Sequence, residues 1–195
     1  MLFRSLPSAE LLRECFDYNA GEGVLLWRNR PQEHFLTAAK GCQWNGRYAG
    51  RRAGCLNSHG RRIVAIRFLD LHYRLYSTRI IWKLQTGREP AQQIDHVNND
   101  RSDDRWVNLR EATHSENLAN RPGWRRGLKG VGFSSRRGRW FARIRMDGAC
   151  YHVGSYLTEE EAHAAYAAAA EKLHGVFRNT ASSAVEEVER LADPL

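Results

Sequence analysis

Several common features are missing from this chain, and each absence narrows what it can be. No apolar run approaches the roughly 20 residues that a membrane-spanning helix needs. The opening Met1-Leu2-Phe3-Arg4 leads at once to Ser5 and Pro7, too short an apolar stretch for a secretory signal. A cytoplasmic protein with no membrane partner is therefore expected. Cysteine is scarce: Cys15, Cys42, Cys55 and Cys150 lie far apart, and no C-x-x-C pair exists. That spacing argues against a zinc ribbon or a redox dithiol and leaves free thiols in a reducing compartment. Internal repeats are absent.

What is present is an excess of positive charge. Thirty Lys and Arg stand against 22 Asp and Glu, giving +8 and a pI near 9.7. Such a balance favours a polyanionic partner, because basic side chains displace condensed counterions from a phosphate backbone. A solvated basic surface would account for the total equally well. The distribution is more telling: eight Lys and Arg lie between Gly123 and Gly154 against one acid, Asp147, with aromatics interleaved, whereas the tail from Val185 is acidic. At 195 residues, 42% hydrophobic and 27% charged, the chain has room for one full domain or two small ones.

Ser8 is placed to cap a helix through Leu11, Leu12 and Phe16, ended by Asn19-Ala20-Gly21, and 23–27 reads as a strand. From Thr37 to Gly60 the abundance of Gly, Arg and Asn predicts turns and loose strands. Alternation over 62–68 predicts a half-buried strand, with 72–76 as its hairpin partner. Ser77 is expected to cap a helix with Ile80, Ile81 and Leu84 inward, stopped by Gly87 and Pro90. Arg121-Pro122-Gly123 is the best domain break.

The most informative segment begins at Ile94-Asp95-His96. Asn108 follows His96 by twelve residues, in Val107-Asn108-Leu109-Arg110, and Asn117 follows nine later, in His114-Ser115-Glu116-Asn117. Thr113 and Glu116 have capping-box spacing. The expected order is strand, loop, strand, helix, with His96 on the first strand and Asn117 on the helix. Phosphodiester hydrolysis needs an activated water, a cation on the phosphate and help for the leaving oxygen. A neutral His can take the water's proton. Asp95 and Asn117 offer hard oxygens that suit one Mg²⁺ or Mn²⁺ better than zinc. Asn108 is placed to hold the His96 imidazole in its working tautomer.

Asp95-His96, Asn108-Leu109-Arg110 and Ser115-Glu116-Asn117 resemble the His-Asn-His endonucleases of phages and their intron-encoded homing relatives. The resemblance covers about 79–121, including Ile80-Ile81-Trp82 and Thr86-Gly87. It implies a ββα-metal fold, His96 as general base, Asp95 and Asn117 as metal ligands, and Asn108 as the orienting residue. Other branches have His where this chain has Asn117, so His114 and Asn120 are rival ligands. Thr78-Arg79 stands where many members have His-Arg.

Farther on, Asp147-Gly148 between alternating segments predicts a two-residue hairpin. With that turn Arg145 faces Cys150, Ile144 faces Tyr151, Arg143 faces His152 and Ala142 faces Val153. Trp140, Ala142, Ile144, Tyr151 and Val153 then share one face, and Arg139, Phe141, Arg143, Arg145 and His152 the other. A strand at 129–134 precedes them. Thr158 and Glu161 open a helix to about His174-Gly175 whose stripe is Ala162, Ala165, Tyr166, Ala169 and Leu173. It would cover the Trp140 face and leave the arginines open to a DNA major groove, or simply to solvent. Lys129-Gly130-Val131, the run 140–145, Val153-Gly154-Ser155-Tyr156 and Glu160-Glu161-Ala162 resemble the plant-type ethylene-response-factor (apetala-two) DNA-binding domain. That resemblance implies Lys129, Arg143, Arg145 and His152 as groove-facing; Arg139 shares the arginine face by alternation, and Arg125 and Arg126, in the linker, are expected to touch phosphates.

The fold class expected is α+β: a ββα-metal nuclease core behind a small α/β N-terminal region, then a three-stranded antiparallel sheet on one helix. The divisions are 1–121 for the nuclease domain (core about 90–121), 122–126 for a linker, 127–179 for the DNA-binding domain and 180–195 for an acidic tail. The function expected is a metal-dependent DNA endonuclease acting on duplex DNA as a monomer, without a small-molecule cofactor. The alternative is a transcription regulator with a vestigial nuclease domain.

Overall fold

The computed structural model describes residues 5–122 and 128–177. Its mixed α+β chain carries five α-helices and several small antiparallel sheets among those residues. Two compact units divide between Glu111 and Ala112, ten residues upstream of the Arg121-Pro122-Gly123 break.

In the first unit α1 (Ala9–Cys15) starts where the Ser8 side chain accepts from the Leu11 amide. It ends at Cys15 because Phe16 turns extended and opens β1 (Phe16–Asn19), which pairs antiparallel with β2 (Val24–Trp27). Gly23, at φ +66°, closes this hairpin, and a Cβ there would collide with the Arg105 backbone nitrogen. The hairpin therefore lies directly on the Asp104–Arg105 backbone, a contact that matters for the site.

The expectation for Thr37–Gly60 fails in its first half, where α2 (Ala38–Tyr48) forms with the Thr37 hydroxyl accepting from the Lys40 amide. Two glycines and an asparagine hide this helix from propensity. Both kinds of residue do packing work. A Cβ at Gly41 would run into the Gln32 side chain, and Asn45 brackets Arg30, accepting from its amide and donating to its carbonyl, each at 2.9 Å.

β3 (Cys55–Leu56), β4 (Arg62–Phe68) and β5 (Leu71–Tyr76) form a three-stranded sheet with β4 central, and Val64 and Ile66 point to the core. α3 (Ser77–Thr86) follows without a break and ends at Gly87 in the left-handed region. Its cap position is Tyr76, not Ser77, because the Ser77 hydroxyl is drawn inward to a carboxylate. Leu12, Cys15, Leu25, Val64, Ile80 and Ile81 are fully buried in one cluster. Each aliphatic side chain of this kind contributes about 1.5–3 kcal/mol when withdrawn from water. β6 (Gln93–His96) pairs with β7 (Leu109–Ala112), preceded by a 3₁₀ turn over Trp106–Asn108.

The second unit contains α4 (His114–Asn120), opened by the reciprocal capping box of Thr113 and Glu116. Next come β8 (Val131–Ser134), β9 (Arg139–Met146), β10 (Ala149–Tyr156) and α5 (Glu159–His174), the last with its own capping box of Thr158 and Glu161. β9 is central, and Asp147 and Gly148, both at positive φ, make the hairpin turn. The register follows expectation from Arg145↔Cys150 to Arg143↔His152 and then shifts: Ala142 pairs with Gly154, and Val153 is bulged. Tyr151, on the turn side of the shift, is half exposed, and beyond the shift Tyr156 packs against the core. The α5 stripe follows expectation at Ala162, Ala165, Tyr166 and Ala169 and departs from it at its end, where Ala170 is buried and Leu173 is exposed.

Candidate active site

The residues singled out by spacing divide between the two units. Asp95, His96 and Asn108 belong to the first, and Asn117 lies on α4 in the second. Asp95 and His96 end β6 with side chains that are almost wholly buried. The partner of His96 Nε2 is Asp104 Oδ1, at 3.1 Å. Asp104, itself 2% exposed, receives the Ser77 hydroxyl on its other oxygen at 2.5 Å. Its backbone carbonyl accepts from the Tyr18 hydroxyl at 2.7 Å. Burial and the neighbouring Asp104 push the Tyr18 phenol up to about 12, so it stays a proton donor. Three separate elements thus fix one carboxylate: α3 through Ser77, the β1–β2 hairpin through Tyr18 and Gly23, and the 97–107 loop.

An imidazole that donates from Nε2 to a carboxylate keeps its basic lone pair on Nδ1. Asp104 is a side chain in contact with the ring, where spacing alone had pointed to Asn108. The Asn108 amide is turned to the loop: Oδ1 accepts from the Asn98 amide at 2.9 Å and Nδ2 donates to the Asp103 carbonyl at 2.8 Å. With Val97 donating to the Asn108 carbonyl, these bonds close the 98–107 loop on itself. Asp103 is held by a two-point contact from Arg105, which draws its pKa down to about 2. Ser102, through its amide and hydroxyl, stabilises the Asp100 carboxylate and lowers its pKa.

Asp95 Oδ2 lies 3.0 Å from both Nε and a terminal nitrogen of Arg110. Sequence reasoning passed over Arg110 as a mere part of the Asn108-Leu109-Arg110 match. It passed over Asp104 because that residue lies in an acidic run. The sequence offered no signal for Asp104: Ser77 reads there as a helix cap, and the fold turns its hydroxyl inward to that carboxylate.

On α4, Asn117 is half-buried, Asn120 is buried and His114 is exposed. Among the described residues no group of three or more His, Cys, Asp or Glu side chains could hold a metal ion. Within the first unit the Asp95 carboxylate is a hard-oxygen donor of the kind that suits Mg²⁺ or Mn²⁺.

In the sheet of the second unit Arg139, Arg143, Arg145 and His152 are all exposed, on the face away from α5. The Arg143 guanidinium lies 5.6 Å from the Phe141 ring centre. Lys129 departs from the expected grouping. Its ammonium donates to the Ala119 and Arg121 carbonyls at the C-terminal end of α4. Those carbonyls carry the helix's negative pole, which attracts the cation. Burial lowers the Lys129 pKa to about 8. Asp147 adds a second link, its amide donating to Ser115 Oγ at 3.1 Å. Arg125 and Arg126, the acidic tail and the ends of the 127–179 span lie outside the described residues.

A buried His–Asp–Ser chain, with a second carboxylate beside His96 in sequence, lies on a strand–loop–strand that a capped helix follows in the chain. The HNH endonuclease family model matches residues 76–119, which takes in Ser77, Asp95, His96, Asp104, Asn108 and Asn117. Neither a curated protein nor a solved structure matches the chain. The family match supports an enzyme that cleaves nucleic acid, in a class that generally uses a divalent metal ion.

Proposed function

We propose that the protein is a metal-dependent DNA endonuclease with His96 as general base and with the β8–β10 sheet as a separate DNA-binding surface. The observation that carries the reading is the His96–Asp104–Ser77 chain within the matched segment. In this mechanism Asp104 holds the imidazole so that Nδ1 receives a proton from water as it attacks phosphorus, and the carboxylate stabilises the imidazolium that results. Positioned general bases of this kind contribute roughly 10²–10⁴-fold. Asp95 and Asn117 would hold one Mg²⁺ or Mn²⁺ ion, which when bound polarises the phosphate and neutralises the leaving oxygen. Asn108 keeps the 98–107 loop shut, so that Asp104 cannot drift from the ring.

The exposed arginine face of β9 and β10, which resembles the apetala-two type of domain, would take duplex DNA, with arginine forks able to pair guanine edges. The molecule would act as a monomer in the cytoplasm. One observation favours the second reading, a DNA-binding regulator with a relic nuclease site: Asp95 is already paired with Arg110. The deciding experiment incubates the full chain with supercoiled plasmid, with and without Mg²⁺. Metal-dependent nicking is expected for the wild type. His96→Ala should lose it while binding duplex DNA with unchanged affinity. A His96→Ala protein that still nicks within a few-fold of wild type would remove His96 from the chemistry.

A further inference from the structure

The chemistry proposed above makes no use of α2. Beside this helix the first unit holds a cavity of about 320 Å³, with Arg30, Lys40, Trp44, Arg47, Tyr48 and Arg67 in its lining. Lys40, Trp44, Arg47 and Tyr48 recur at the spacing of one helix face. Neither α2 nor the cavity lining contains an Asp or Glu.

The floor of this cavity is firmly built. The Arg30 backbone is bracketed by Asn45 through two hydrogen bonds. Its guanidinium lies 4.8 Å from the ring centres of both Phe35 and Trp44. It donates from Nε to His34 Nδ1 at 3.2 Å and from a terminal nitrogen to the Arg67 carbonyl at 2.7 Å. Those contacts hold the group in place without neutralising it. Among the described residues Arg30, Lys40, Arg47 and Arg67 form no ion pair. Unbalanced positive charge over a low-dielectric hollow focuses the field and attracts anions.

Basic side chains also continue beyond the cavity. Arg67 on β4 stands opposite His72 on β5, and Ala65 stands opposite Arg74. Residues two apart share a face, so Arg67, His72 and Arg74 line the outward side of the sheet, and all three are exposed. A spaced row of charges fits a linear polyanion better than a single small anion. The aromatic walls point to backbone rather than bases, because their faces are occupied. Trp44 packs edge-on to Trp27 and is tilted against Phe35 and Tyr48, and Arg30 covers one side of it.

We propose that this cavity and the adjoining β4–β5 face form a second DNA-contact surface, one that grips the phosphate backbone of a duplex without reading its bases. The inference rests on the endonuclease reading for its partner but on none of the catalytic residues. The test is a fluorescence-anisotropy titration of the full chain on two unrelated duplexes across a salt series. The variant is Lys40→Ala/Arg47→Ala/Arg67→Ala. Its affinity should fall by about tenfold or more at low salt, equally on both duplexes. The slope of log K against log[salt] should become shallower by about two to three, at about 0.9 per phosphate contact. A charge-keeping control, Lys40→Arg/Arg47→Lys/Arg67→Lys, should hold both values near wild type. If the triple alanine variant is unfolded, Lys40→Ala and Arg47→Ala singly, on the exposed face of α2, should each move the slope by about one. Unchanged affinity and slope in these variants, or a loss confined to one duplex, overturns the proposal. Plasmid nicking at saturating protein should survive in the triple variant. Should the wild type fail to nick, the nuclease reading falls while the binding series still decides this surface.

Discussion

Replacing Asp104 with asparagine perturbs the candidate site at its most constrained point while keeping its shape. The wild-type carboxylate accepts from His96 Nε2 at 3.1 Å and from Ser77 Oγ at 2.5 Å, in a setting with almost no solvent. An asparagine there has one oxygen and one NH₂ group for two positions that both need an acceptor. If its oxygen faces His96, the Ser77 hydroxyl must turn and accept instead. If its NH₂ group faces His96, the ring proton is driven to Nδ1 and the lone pair moves to the wrong nitrogen. Either arrangement removes the negative charge that would stabilise the imidazolium. Hydrogen bonds to charged groups contribute about 1.5–3 kcal/mol each, and one is lost or weakened. The first unit should therefore melt lower by several degrees, at about 4–8 °C per kcal/mol for a body of this size. The nicking rate should fall by about 10²–10³-fold, most of what a general base supplies. The assay pairs single-turnover plasmid nicking with a melting curve and a Mg²⁺ titration. The Mg²⁺ requirement and the affinity for duplex DNA should not move. If Asp104→Asn melts lower yet nicks at close to the wild-type rate, Asp104 is only structural and the tautomer argument fails.

Lys129→Met removes the ammonium and its bonds to the carbonyls at the end of α4, and the variant should differ from wild type in the pH dependence of the second unit's stability, read by thermal or urea melting. Because burial lowers the Lys129 pKa from 10.5 to about 8, the unfolded chain binds more protons between those values. Wild-type stability should consequently rise from pH 8 towards 10.5, and the variant should show no such rise. In the first unit burial lowers the His34 pKa below 6.5, against the opposing hydrogen bond to Glu14. Stability should be full above the unfolded value and decline as pH falls from 6.5 through the folded pKa, and His34→Gln should flatten that decline in pH-dependent melts.

The legibility of the fold tracks how locally each element is determined. β4, α3 and both capping boxes could be read because periodicity and cap chemistry act over a few neighbouring residues. The β9–β10 turn was equally clear, since Asp147-Gly148 leaves few alternatives at positive φ. α2 was missed because Gly41 and Asn45 are chosen for contacts with Gln32 and Arg30, nine and 15 residues away. The bulge at Val153 escaped for a related reason. Turn geometry fixes register only until packing against a helix outweighs it, and here Tyr156, rather than Tyr151, is taken into the core.

The site shows the same division between near and far. Asp95, His96, Asn108 and Asn117 stood out because four chemically apt residues fall within 23 positions of one another. What a sequence cannot display is which acid of the Asp100–Asp104 run turns inward. Asp103 and Asp104 are adjacent and chemically identical, yet Asp103 is committed to Arg105 whereas Asp104 is buried against His96 and Ser77. The choice is made by residues remote in the chain. Tyr18 grips the Asp104 carbonyl across 86 positions, and Gly23 lets its hairpin lie against the Asp104–Arg105 backbone. A side chain at Gly23 would push that backbone away and take the carboxylate with it. The N-terminal hairpin, with no chemical group in the reaction, is thus part of what places the proposed base.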